Sequence, residues 1–118
     1  MLTETQTQQL LDEAQTWLNN LVTYVAGMND AKAKLYKWAA GKTERDTRIQ
    51  IEHFHNQFHI QLINLHDLKH SIRHYMQEIK HLPDADYNEK HEQILEQYNF
   101  LTKDLDLLND EFKAFTGE

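Results

Sequence analysis

The sequence predicts an all-α fold: an antiparallel up-down-up bundle of three long helices forming one domain over residues 1–118. Apolar residues recur at alternating spacings of three and four through most of the chain, the periodicity of helices with one buried face. Only three Gly and one Pro occur in 118 residues, too few for a turn-rich all-β domain. Gly41, Pro83 and Gly117 fall where the periodicity stops, which divides the chain into three rods.

The first rod carries Leu10, Ala14, Trp17, Leu21, Tyr24, Met28, Ala31, Leu35 and Trp38 in unbroken phase. Gly27, Asn29 and Asp30 mark where a bend or break would fall and would turn three helices into four, since Gly gives up about 1 kcal/mol of helix propensity relative to Ala. A loop there would reset the phase, so the stripe favours continuity. Gly41 stands where a C′ glycine belongs, with Lys37 and Lys42 near the negative end of the helix dipole.

In the second rod, Thr43 reads as an N-cap with Glu44 and Asp46 in the first turn. Ile51, Phe58, Leu65, Ile72 and Ile79 repeat every seven residues, and Phe54, Gln61, Leu68, Tyr75 and Leu82 follow each by three. Leu62 and Met76 widen this seam into the face of a helix packed against two neighbours. No Gly or Pro interrupts residues 42–82, so one helix of about 38 residues and about 57 Å is expected. Pro83 ends it. Asp86 with Glu89 has the capping-box pattern that opens a third helix, in which Tyr87, His91, Ile94, Tyr98, Leu101, Leu105, Leu108, Phe112 and Phe115 keep the spacing for about 29 residues. Connections of roughly two to four residues fold the rods back on one another.

Matching the levels of the rods around Gly41 and Pro83 puts Phe115 opposite Glu52 and Lys32. Above that level only the first two rods continue, carrying Leu35, Tyr36 and Trp38. Two arrangements satisfy such a tip. It is covered by the same tip of a second chain, giving a homodimer, or the two rods close over each other with Trp38 flat between them.

Charge is distributed unevenly. The formal net charge is −7, which disfavours wholesale nucleic-acid binding. Six of the twelve basic residues, Lys32, Lys34, Lys37, Lys42, Arg45 and Arg48, lie at the tip, whereas residues 84–118 hold ten acids against three lysines. Tyr36 and Trp38 beside these lysines leave a nucleic-acid or anionic-lipid contact as a weaker option. Without Cys there is no disulfide, thiolate nucleophile or Cys-based metal site, and neither a metal nor a cofactor is expected. No apolar run is long enough to span a membrane. The first residues show no basic stretch ahead of an apolar run, so the expected address is cytoplasmic.

Seven of the eight histidines lie between residues 53 and 81. His59, His66, His70, His74 and His81 fall away from the core seam, with His55 at its edge and His53 outside it. Pairs four apart, such as His66 and His70, bind divalent metals only weakly without further converging ligands. Ile60 and Ile63 interrupt this outer face and mark a second candidate interface, one expected to weaken as the imidazoles charge at lower pH. Gln61 and His91 sit within the core stripe, and each is expected to be a hydrogen-bonded register device; His91 should lie near Tyr75 and Leu10 or Leu11.

Glu52/His55 and Glu78/His81 have the Glu-x-x-His spacing of di-iron bundles but lie about 39 Å apart on one helix, which defeats convergence. Residues 66–71, His-Asp-Leu-Lys-His-Ser, resemble the histidine phosphotransfer domain motif. That resemblance implies His66 as phosphoryl carrier and Lys69 as its charge partner. His70 stands where that family has a glycine, and the family's bundle has four helices. The architecture is also similar to spectrin-like three-helix bundles, a likeness of shape alone. The function expected from these features is a non-enzymatic interaction or structural domain acting through self-association or a protein partner, with contacts at Leu35, Tyr36, Trp38, Ile60 and Ile63. Histidine phosphotransfer through His66 is the alternative.

Overall fold

The computed structural model describes residues 3–117. These form three α-helices in up-down-up order: α1 Glu4–Ala39, α2 Arg45–His81 and α3 Asn88–Thr116. The body measures 61 × 20 × 18 Å. Its long axis is little more than the length of α2, about 56 Å at 1.5 Å per residue.

α1 runs through Gly27 without a break, and the same stripe is buried on either side of it, by Leu21 before and by Met28, Ala31 and Leu35 after. Burial of that stripe outweighs the local propensity cost at Gly27. The helix opens with a capping box, in which the Thr3 hydroxyl accepts from the Gln6 amide and the Gln6 side chain accepts from the Thr3 amide. It closes with Gly41 in the left-handed region at φ 79°, a conformation that favours glycine.

Two sequence expectations about caps are corrected. α2 is capped by Glu44 rather than Thr43, with no side-chain cap bond; Arg48 donates its amide to the Glu44 carbonyl to start the helix. α3 is capped by Tyr87 rather than through a box of Asp86 and Glu89. The cause lies in Tyr87 itself. Its ring is buried and its hydroxyl donates to the carbonyls of Glu78 and Leu82 at the end of α2, at 2.9 and 2.7 Å. This side chain anchors the turn, and Asp86 accepts from the Asn88 amide two residues on.

The seven-residue repeat of α2 forms the central seam, where Phe58, Leu65, Ile72 and Ile79 are fully buried. The repeat fails at Leu82, which is 66% exposed because the helix has ended and its backbone has turned away. At the tip end, Phe54, Phe58, Phe112 and Phe115 form an aromatic cluster, with ring centroids 5.0 to 6.1 Å apart.

Candidate functional site

The predicted level of α3 against α1 is corrected at the tip. Phe115 reaches Trp38, with ring centroids 4.7 Å apart, as well as Phe54 at 5.1 Å. Trp38 is half-buried, and Leu35 is buried within its own chain. Matching rods by loop length treats side chains as short. The Trp38 side chain leans back toward the N-terminus of α1, as helical side chains do, and so meets Phe115 below its own level, which buries apolar area of both rings. The Lys42 ammonium lies 4.8 Å from the Trp38 ring centre, on the loop that borders both this side of the tip and the next.

The other side of the α1–α2 pair is open. A cleft of about 1190 Å³ lies between the end of α1, the loop at Lys42 and Thr43, and the start of α2. α3 contributes no residue to it. Its apolar lining includes Leu35, Tyr36, Ala39, Ile49 and Ile51, of which Tyr36 is 82% and Ile49 51% exposed. Four cations, Lys32, Lys42, Arg45 and Arg48, border it against one carboxylate, Glu52. Among the described residues, none of these four cations has a carboxylate within ion-pair distance. The cleft is therefore a concave, apolar-floored surface with surplus positive charge.

Of the sequence-predicted interface residues, the cleft gathers Leu35 and Tyr36 but excludes Trp38, which faces α3. Ile60 and Ile63 are 47% and 48% exposed in the middle of α2, outside the cleft. Sequence reasoning missed Ile49. Its place one turn into α2, beside Arg45 and Arg48 and outside the heptad seam, was the available signal.

All seven histidines of α2 are exposed. His66 is exposed and Lys69 half-buried, three residues on along the same helix. Among the described residues no group of three His, Cys, Asp or Glu side chains is placed to hold a metal ion. No helix among them is long and apolar enough to cross a membrane.

His91 is buried and joins all three helices. The Tyr75 hydroxyl lies 2.7 Å from its Nδ1, and the Glu13 carboxylate lies 2.5 Å from its Nε2. The carboxylate accepts, so Nε2 carries the proton and neutral Nδ1 accepts from the phenol, a tautomer assigned by the network. Trp17 packs on the imidazole at 4.7 Å. The Tyr75 hydroxyl has its partner in the core and Tyr75 is fully buried, so the trio acts as a clasp. Gln61 is buried too, but its oxygen accepts from Asn64 on its own helix, a bond that does not set register between helices.

No family model, curated protein or solved structure matches the chain.

Proposed function

We propose that this chain is a non-enzymatic helical interaction domain, that the cleft at the tip is its docking surface, and that the surface it takes is an acidic amphipathic helix. The observation that carries this reading is the coincidence in one concave site of exposed Tyr36 and Ile49 with Lys32, Lys42, Arg45 and Arg48. An apolar side chain entering between Tyr36 and Ile49 loses contact with water at about 25 cal/mol per Å². Acids flanking that side chain meet the basic rim, which speeds encounter and selects against basic partners. An extended polyanion fits less well, because the chain as a whole carries −7 and would repel it beyond the tip.

The test is fluorescence anisotropy of a labelled, Glu-rich amphipathic helical peptide with Phe and Leu seven residues apart. The expected result is saturable binding that weakens in about 0.5 M salt, where the screening length is about 4 Å. Arg45→Glu/Arg48→Glu should weaken it about tenfold or more. Equal binding by that variant, or none at about 100 µM chain, contradicts the reading.

A further inference from the structure

The face of α3 turned away from the core has the pattern that the cleft lacks a partner for. Phe100 is 71% and Leu107 51% exposed on that face. They are seven residues apart, about 10.5 Å along the helix, and so point the same way. Glu96 stands one turn before Phe100 and Glu111 one turn after Leu107, with Glu92 and Asp110 alongside; all four acids are exposed, and Lys103 is the one cation within the stripe. Like the peptide described above, this is an acidic helix with two apolar anchors, and it belongs to the chain itself.

The charges also decide how two copies can meet. Tip against tip would bring Lys32, Lys42, Arg45 and Arg48 of one copy against the same four cations of the other, a repulsive arrangement. Tip against the outer face of α3 opposes unlike charges and covers Phe100 or Leu107 with the cleft floor. A copy cannot do this to itself, because Phe115 and the rest of α3 pack on the side of the α1–α2 pair away from the cleft.

We propose that the occupant of the cleft is the outer face of α3 from a second copy of this chain. This rests on the cleft being a docking surface and names what fills it. The contact is heterologous: each copy offers one cleft and one α3 face, so association continues head to tail into a ring or an open chain instead of stopping at a two-fold dimer.

The test uses two variants of the full chain, Arg45→Glu/Arg48→Glu in the cleft and Glu96→Lys/Glu111→Lys on α3, followed by sedimentation velocity. All four positions are exposed, and far-UV circular dichroism checks that each variant is folded. The wild type should show a mass that rises with concentration. Each variant alone should associate about tenfold or more weakly. An equimolar mixture should regain association, since the intact acidic face of the cleft variant meets the intact cleft of the α3 variant and the two reversed surfaces also oppose unlike charges. An α3 variant that associates like the wild type, or a mixture that stays monomeric, overturns the proposal. A monomeric wild type at about 100 µM also overturns it. If the acidic peptide still binds in that case, the cleft remains a docking site for another protein; if the peptide fails too, the cleft reading falls with it.

Discussion

The Tyr75 hydroxyl on α2 is held at 2.7 Å by Nδ1 of His91 on α3, and the same imidazole reaches Glu13 on α1 through its other nitrogen. One ring therefore sets the relative height of three helices at the end of the bundle away from the tip. Replacing His91 with Phe leaves the buried phenol without a partner, at an expected cost of about 1–3 kcal/mol. Tyr75→Phe leaves Nδ1 unpaired in the same way. The double variant should lose less than the two single losses combined, by about 1 kcal/mol or more, in urea unfolding curves. Additive losses would mean that the two side chains are not coupled.

Gly27 and Gly41 should respond to alanine in opposite directions. Gly27 lies inside α1, and an added Cβ there meets nothing within 4 Å, so Gly27→Ala should stabilise by about 1 kcal/mol and raise Tm by about 4 °C. Gly41 has the same open space but sits at φ 79°, so Gly41→Ala should destabilise by about 1 kcal/mol. Calorimetry of the two variants checks both signs. A destabilised Gly27→Ala would show that α1 is not helical through that position.

Two phenols link stability to alkaline pH. Tyr24 is pushed up to about 12 by burial and by its hydrogen bond to Asp106. Tyr75 is raised as well, by burial first and then by the negative charge of Glu13. A folded-state pKa above the unfolded value near 10 means that the neutral phenol is favoured by folding. The stabilising contribution is complete below pH 10 and lost as pH climbs through 10 towards 12. Tyr24→Phe should be less stable by about 1 kcal/mol at neutral pH, through loss of the hydrogen bond, yet lose less stability than the wild type between pH 10 and 12. Denaturant midpoints measured across that range decide it; parallel decline in both proteins would contradict the assignment.

Helix number, order and most of the core were legible because period and punctuation agree: the stripe from Leu10 to Trp38 keeps phase, and Gly41, Pro83 and Gly117 fall between or after the helices. His91 was legible as a core group meeting Tyr75, since both lie in seams at one level. Glu13 was not, because a half-exposed acid on a polar flank of α1 differs in no way from its neighbours until the third helix is in place. The cap at Tyr87 was hidden for a related reason: its bonds go to carbonyls of α2, and a local motif such as Asp86 with Glu89 carries no information about those. At the tip, basic clustering and exposed Tyr36 were visible in sequence. Which side of the helix pair stayed open was not, since it depends on Phe115 reaching both Trp38 and Phe54. Phe100 and Leu107 were passed over because neither breaks the regular stripe that announces a core.

The most direct measurement of the docking role is a two-dimensional amide NMR titration of the chain with the acidic amphipathic peptide. Binding at the cleft predicts shifts concentrated at Tyr36, Lys42, Arg45, Arg48 and Ile49, with the histidine face around His66 and His70 unmoved. Shifts centred on that histidine face, or no shifts at saturating peptide, would contradict it.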